Sequence, residues 1–475
     1  MSGVAMPLTF HGRARAALSD RTLHEALDRA TAQLRSRRST ALDSLEHSDY
    51  VRDVARRARM TALRNLGALL REFESRLTEN GCRVHWADTA DDANRIIVRI
   101  AAEARVRRIA KSKSMVSEET HLNAALERAG LAVVETDLGE YVTQLAASRP
   151  SHIILPIVHM TREQVGRLLQ EQLGVPYSDD PQVLAGYARA KLRAEFLRAD
   201  MGITGANIGV AATGTICLVT NEGNGRMVTT LPRVHVVLMG IEKLVATMAD
   251  LDAVLKVLAR SATGQQLTAY TTLVRGPRRA GDACGPESMH VVLLDNGRTR
   301  LLAGESAEIL GCIRCGACLN VCPVYRNIGG HAYGDTYPGP VGAVVTPGLR
   351  GIGNWAALPD ASSLCGACRD ICPVRLDIPR MLIAMRQEAV SCTPQPAWLR
   401  FGMRAFAWTA ARPPMYRIVA RLGGAVLRQR ARNGWIHRAP GPLGAWTTCR
   451  DLRAPARRSF ERQWRSRTEA RHDRA

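Results

Sequence analysis

Long apolar runs are missing from this sequence. The best stretches, residues 153–158 and 234–241, are strand-sized, far short of the roughly 18 residues that read as a membrane span. The opening MSGVAMPLTFHGRAR has neither the apolar segment nor the small-residue cleavage site of a secretory signal. The expectation is a soluble, cytoplasmic chain. Lysine is almost absent as well: of 65 basic residues, five are Lys and 60 are Arg, a skew that a biased genome produces as readily as selection for a polyanion. No G-x-G-x-x-G stands between a strand and a helix, so there is no fingerprint for a nicotinamide or flavin dinucleotide.

What is present is ordinary in bulk and uneven in detail. The chain has 475 residues, 46% apolar and 23% charged, enough for about two to four domains and unlike a disordered tail. The net charge is +21, yet residues 391–475 alone hold 18 Arg against four acids, Asp451, Glu461, Glu469 and Asp473. Five of the seven tryptophans (Trp398, Trp408, Trp435, Trp446 and Trp464) lie in the same stretch.

The cysteines point to metal. Seven of the twelve fall in one short segment: Cys312, Cys315, Cys318, Cys322, Cys365, Cys368 and Cys372. A secreted disulfide framework spreads pairs through a small domain, whereas thiolates two or three residues apart in a cytosolic chain bind metal. The run from Cys312 to Pro323 spells C-x2-C-x2-C-x3-C-P. In that ferredoxin spacing three close thiolates wrap one cubane, and the fourth, beside proline, reaches to the other cluster. The second copy, Cys365 to Pro373, spells C-x2-C-x3-C-P. Crossover then gives Cys312, Cys315, Cys318 and Cys372 to the first [4Fe-4S] cluster, and Cys322, Cys365 and Cys368 to the second. Ser362 stands where Cys312 has its counterpart, so the fourth place of the second cluster is open to Ser362, a distant cysteine such as Cys392, water or a substrate. Zinc is the rival metal, but it favours isolated C-x2-C pairs in tetrahedral sets. The lone cysteines Cys82, Cys217 and Cys284 read as buried small apolar side chains.

Periodicity divides the chain into an N-terminal helical region (residues 1–70), an α/β domain (71–305), a ferredoxin-type domain (306–390) and an Arg- and Trp-rich helical region (391–475). In the α/β domain, strands are expected at 83–87, 107–110, 131–135, 152–156, 217–220, 234–239, 269–274 and 290–294, with helices at 91–104 and 118–128. This succession predicts a largely parallel sheet covered on both faces. The long connection between the cysteine copies and a helix at 378–389 suggest an α-helical ferredoxin arrangement. A further helix is expected at 415–430. His331 and Tyr333, in the connection, read as exposed loop residues, and residues 221–225 as a turn. Lys111-Ser112-Lys113-Ser114, between a strand and a helix, is a place for an anion, while Glu118 and Glu119 compensate that helix's dipole. Residues 135–140, at a strand's end, can line a cleft.

Beyond the cysteines, Thr204-Gly205-Ala206-Asn207, Leu218-Val219-Thr220-Asn221-Glu222-Gly223-Asn224-Gly225 and Leu231-Pro232-Arg233-Val234-His235 resemble the lactate utilization protein B family. Met239-Gly240-Ile241-Glu242-Lys243 and the run from Met289 to Arg298 extend the resemblance over nearly the whole chain. It implies a lactate utilization domain with a fold similar to ribose-phosphate isomerase and CoA-transferase domains, and cluster ligation by the same seven cysteines. Ala212 and Cys284 depart from the family pattern, which has acidic residues there.

The resemblance implies an iron-sulfur electron-transfer subunit, an oxidoreductase component working with companion lactate utilization subunits in the oxidation of L-lactate to pyruvate. Which subunit oxidises lactate, and which acceptor lies downstream, are not legible. A second reading is a cluster-bearing regulatory or nucleic-acid-binding protein acting through its basic C-terminus. Partner docking, then an anionic membrane surface touched by helices lying flat, rank ahead of nucleic acid as uses for that region.

Overall fold

A computed structural model describes residues 9–392, 396–448 and 450–472. Two compact units emerge, residues 1–393 and 394–475.

The first unit begins with four helices: α1 (Phe10–Leu18), α2 (Arg21–Asp43), α3 (Ser48–Arg64) and α4 (Leu66–Glu79). The last three each bury one stripe, as in α4, where Leu66, Leu69, Leu70, Phe73 and Leu77 recur at helical spacing and are buried, whereas α1 has no buried residue. The strands that follow are β1 (Arg83–Ala87), β2 (Arg108–Lys111), β3 (Ala132–Glu135), β4 (Met201–Thr204), β5 (Ile208–Val210), β6 (Thr215–Thr220), β7 (Val234–Gly240), β8 (Leu244–Val245), β9 (Tyr270–Val274) and β10 (Ser288–Leu294). Six of them form a sheet in the order β1-β10-β7-β4-β2-β3, every pair of which is parallel. A buried central strand of such a sheet reads as one apolar run, and β7 is buried at all seven positions. A smaller mixed sheet runs β8-β5-β6-β9. The helix Ala90–Glu103 is opened by a reciprocal capping box between Thr89 and Asp92.

Three expectations fail locally. The single helix at 118–128 is two, Met115–Glu119 and Leu122–Arg128, broken where His121 turns left-handed at φ 53°. No strand forms at 152–156; the His152 side chain instead caps the Ile154 and Leu155 amides at 3.0 and 3.1 Å, which holds the segment in a turn. Residues 221–225 are more than a turn, since a helix, Asn224–Thr230, starts inside them.

Between residues 306 and 390 every regular element is helical, including Ala317–Val321, Pro323–Ile328, Gly339–Arg350, Ala367–Asp370 and the start of Ile378–Cys392. Helix α2 packs on both short helices that follow the first cysteines, and α3 lies against Met248–Ala262. Arg59 of α3 is wholly buried. It donates to the carbonyls of Glu242 (2.6 Å), Leu310 (3.0 Å) and Gly311 (3.4 Å), and to that of Leu244. Burial pushes its pKa down to about 10, so it stays charged at neutral pH and ties the α/β domain to the segment before Cys312.

The second unit contains the helices Ala397–Ala410, Pro413–Gln429 and Phe460–His472 and a two-stranded ribbon, Trp435–Ile436 with Leu452–Arg453. Arg417 grips Glu461 through two bonds of 2.9 and 2.6 Å. The tail tryptophans are largely exposed, Trp398 at 65% and Trp464 at 59%, although Trp464 stacks on Phe460 and arginines lie over Trp408 and Trp446.

Candidate metal centre and the cavity beside it

The two cysteine copies adopt one backbone conformation. Arg314 and Gly316 flank Cys315 with φ of 58° and 74°; Leu364 and Gly366 flank Cys365 with 53° and 87°. A short helix follows at the same place in each, Ala317–Val321 and Ala367–Asp370. Left-handed residues on both sides of a cysteine curl the chain around its sulfur and turn backbone N–H groups inward. Arg314 N–H donates to Cys312 Sγ at 3.4 Å and Tyr325 N–H to Cys322 Sγ at 3.5 Å. In the second copy Leu364 N–H donates to Ser362 Oγ at 3.1 Å. Ser362 thus takes both the sequence position and the local bonding of Cys312.

Cys315, Cys318, Cys322, Cys368 and Cys372 are buried, Cys312 is half-buried and Cys365 is exposed. Charge coupling sorts the seven sulfurs. Cys315 and Cys318 are coupled to Cys312 and Cys372, and Cys372 to Cys312. Cys322 is coupled to Cys365, and Cys368 to both of them. Cys318 also feels Cys368, which joins the two sets. Burial pushes the Cys315 and Cys368 thiols up to about 12 and Cys372 to about 11, so in the metal-free chain these sulfurs are protonated at neutral pH. Iron in a cubane takes deprotonated thiols. The buried Tyr333 hydroxyl has no hydrogen-bond partner and is coupled to both Cys322 and Cys318, an unspent donor at the junction of the two sets. Among the described residues no group of three or more His, Cys, Asp or Glu side chains is arranged to hold a single metal ion.

Arginines of α2 and α3 clamp the second Cys-Pro segment. Arg38 donates to the Ile371 carbonyl (2.5 Å), Arg52 to those of Asp370 (2.8 Å) and Cys372 (2.9 Å), and Arg56 to Val374 (3.2 Å) and Arg375 (2.5 Å). The first copy is held instead by residues 151–155. His152 accepts two amides at Nδ1, so its proton is on Nε2, which donates to Asn320 Oδ1 at 3.2 Å. Burial, with Lys113 nearby, pushes this imidazole down to about 3. A side chain on Gly316 would meet the His152 ring at 3.0 Å.

Several single-residue expectations are corrected. Tyr333 is fully buried and His331 half-buried, its Nε2 paired with the Arg149 carbonyl at 2.7 Å. Cys82 and Cys217 are buried as expected, but Cys284 is exposed, in the Gly- and Pro-containing loop between β9 and β10. Cys392 is exposed at the end of its helix, and Cys449 lies outside the described residues. Lys111 is committed internally, 2.7 Å from Glu135 and 3.4 Å from Glu118. Lys113 pairs with Glu140 at 2.9 Å. Glu119 is far more than dipole compensation: it takes two 2.9 Å bonds from buried Arg298, 2.7 Å from Tyr337 Oη and 2.7 Å from Asn296.

Arg298 also holds Glu242 at 2.5 Å. Burial opposes ionisation of Glu242, but Arg298, Lys243 and Arg314 overcome it and hold the carboxyl at about 2. From this network Arg314 reaches over the Tyr337 ring, 4.7 Å from its centre. Arg314, Tyr337 and Lys243 line a cavity of about 740 Å³ between the α/β domain and the first cysteine loop. Its walls include Lys113, Asn207, Asn221 and Glu222, so the segments at 111–114 and 221–225 do meet at one cleft. Nothing in the sequence marked Arg314, Tyr337 or Lys243 as a group, because they are brought together by the packing of separate domains.

Three family models match the chain: the LUD domain over residues 70–294, the 4Fe-4S dicluster domain over 308–376, and Lactate utilisation protein B, C-terminal over 393–469. A Lactate utilization protein B from Geobacillus kaustophilus is 44% identical over 90% of this chain and 90% of its own length. One from Anoxybacillus flavithermus is 41% identical over 96% and 97%. An Uncharacterized electron transport protein, YkgF, from Escherichia coli K12 is 40% identical, with 96% of each chain covered. A solved structure of a DUF162 family protein from Deinococcus radiodurans aligns with 48% of this chain and 98% of its own at 18% identity and a TM-score of 0.28, too weak a likeness to bear on the fold. With an α/β domain on a parallel sheet, paired cysteine loops and relatives of this identity over nearly its full length, the chain belongs to the lactate utilization protein B family, iron-sulfur proteins of lactate utilization.

Proposed function

We propose that this chain is the electron-transfer subunit of an L-lactate oxidising complex, holding two [4Fe-4S] clusters and working beside companion subunits in the conversion of lactate to pyruvate. The observation that supports the reading is the shared left-handed backbone of the two cysteine loops, at Arg314 and Gly316 and at Leu364 and Gly366. We assign Cys312, Cys315, Cys318 and Cys372 to one cluster and Cys322, Cys365 and Cys368 to the other, in keeping with the charge coupling among these sulfurs. When bound, the clusters would supply one-electron transfer. The chain's own residues do the rest. Left-handed Arg314, Gly316, Leu364 and Gly366 aim the loops, Arg38, Arg52 and Arg56 fix the second Cys-Pro turn, and Tyr333 offers a buried hydroxyl between the sets.

The finer assignments belong to the same proposal. The working units are residues 1–70, 71–305, 306–390 and 391–475, the α/β domain being of the CoA-transferase and ribose-phosphate-isomerase kind. The Arg-rich helical unit is a docking surface for a companion subunit, with peripheral contact to an anionic membrane as the next use. Among the described residues no helix is long and apolar enough to cross a membrane. The test is anaerobic EPR of the purified chain with L-lactate, alone and with its companion subunits. Cluster reduction that needs both lactate and companions supports the relay. Clusters inert under every combination, together with tight, salt-sensitive nucleic-acid binding, would replace it with the regulatory reading.

A further inference from the structure

The cavity beside the first cysteine loop has a graded lining. Its mouth carries exposed Glu25, Arg29 and Arg162, and its throat is apolar. At its floor lie two buried basic side chains, Arg314 and Lys243, with unspent donors. Arg314 is 8% exposed, and its Nε and Nη1 have no hydrogen-bond partner; among the described residues its one ion-pair partner is Glu242, whose Oε1 stands 3.9 Å away while Arg298 holds Oε2. Lys243 is 6% exposed, burial pushes it down to about 7 although Glu242 works the other way, and no described residue hydrogen-bonds its amine. Asn207, on the same wall, spends its Oδ1 on the Val219 amide and leaves its Nδ2 donor to the cavity. Buried donors without hydrogen-bond partners are costly, and a bound ligand, ion or water is one way in which they are completed. The nearby cluster thiolates offset part of this charge, as the coupling of Cys312 to both cations shows. They make no hydrogen bond to Nε or Nη1 of Arg314, a residue that lines the cavity.

We infer that this floor binds the carboxylate of a small organic acid, with Arg314 and Lys243 as its cationic anchors and Asn207 as a neutral donor, directly beside the first cluster loop. A guanidinium matches a carboxylate through two parallel N–H bonds, and an apolar throat accommodates the carbon chain. A single three-carbon acid fills only a small part of about 740 Å³, so the floor, not the whole cavity, is the recognition element. The inference deepens the lactate reading and identifies where on this chain the acid is held.

The test is calorimetric titration of the iron-loaded, full-length chain with L-lactate, pyruvate, oxamate, acetate and succinate, on the wild type and on Lys243→Met, Lys243→Arg and the outer-surface control Lys191→Met. One-site saturable binding of at least one acid is expected, weakened about tenfold or more by Lys243→Met, largely restored by Lys243→Arg and unchanged by Lys191→Met. The EPR line shape of the first cluster shifts at the same acid concentrations. Absence of binding by all five acids overturns the inference. So does a Lys243→Met chain with unchanged affinity and a shifted cluster potential, which makes the lysine only a countercharge to the cluster. Binding of acetate or succinate without lactate or pyruvate supports the floor while removing the lactate reading. Lactate-driven reduction in the assembled complex with no acid bound to this chain overturns the floor and leaves the relay standing.

Discussion

The two cysteine copies share a backbone and differ in almost everything around it. The first is enclosed: Cys315, Cys318 and Cys322 are buried, and Gly316 sits against the His152 ring. Behind it stand the Arg298 ion network and the cavity. In the second copy Cys365 is exposed, Ser362 replaces a cysteine, and a side chain on Gly366 would meet nothing within 4 Å. The same loop geometry is therefore used once with Cys315 buried and once with its counterpart Cys365 at the surface, although Cys368 and Cys372 are buried as Cys318 and Cys322 are. The difference suits a relay with an inward side next to a small-molecule cavity and an outward side next to a partner.

The largest way to break the comparison is through the ion network, which backs the first copy alone. Arg298→Met strands Glu119 and Glu242 as buried anions, and a stability loss of about 3–5 kcal/mol is expected, read by denaturant unfolding. A variant with unchanged stability means that the two carboxyls find other partners. Acid is the next lever. Free histidine titrates near 6.5, whereas His152 is held at about 3. The unfolded chain thus binds the extra proton between those values, and stability from this group, complete above about pH 6.5, falls as pH drops through that window. At pH 5 the loss is about 2 kcal/mol, and His152→Gln should remove that part of the acid sensitivity in thermal melts at pH 7 and 5.

Glycine substitution sharpens the contrast further. Gly316→Ala faces both a φ of 74° and the histidine ring, while Gly366→Ala faces only its φ of 87°. Expected costs are about 2–3 kcal/mol and about 1 kcal/mol, respectively, measured by chemical denaturation. The smallest expected effect is on labelling of the metal-free chain. Exposed Cys365, its pKa lowered by the Ala367 amide, should alkylate well before Cys315, which is buried and pushed up to about 12. Mass spectrometry of an iodoacetamide time course reads the order; equal rates would mean that the first copy opens as readily as the second.

Spacing carried most of what the sequence revealed. Cysteines two and three residues apart, and apolar runs that become β2, β7 and β10, report local geometry, and local geometry survives without a partner. The interior polar groups left no such trace. Arg59 meets four carbonyls more than 180 residues away, and Glu119 meets Arg298 and Tyr337 across 179 and 218 residues. A charged residue near a helix start looks the same whether it faces water or a buried guanidinium. Residues 152–156 read as a strand because His-Ile-Ile-Leu-Pro is apolar; the hydrogen bonds of one imidazole decided otherwise. Tyr333, in a glycine-rich loop, was hidden by its surroundings for the same reason.

The central claim is that seven thiolates on interlocked loops hold two cubanes. Iron and acid-labile sulfide analysis of the anaerobically reconstituted chain, with Mössbauer spectroscopy of the same sample, tests it directly. About eight irons per wild-type chain are predicted, with Cys372→Ala perturbing the cluster shared with Cys312, Cys315 and Cys318 and sparing the one held by Cys322, Cys365 and Cys368. About four irons, zinc in their place, or a Cys372→Ala chain that loses the second cluster while keeping the first would contradict the account.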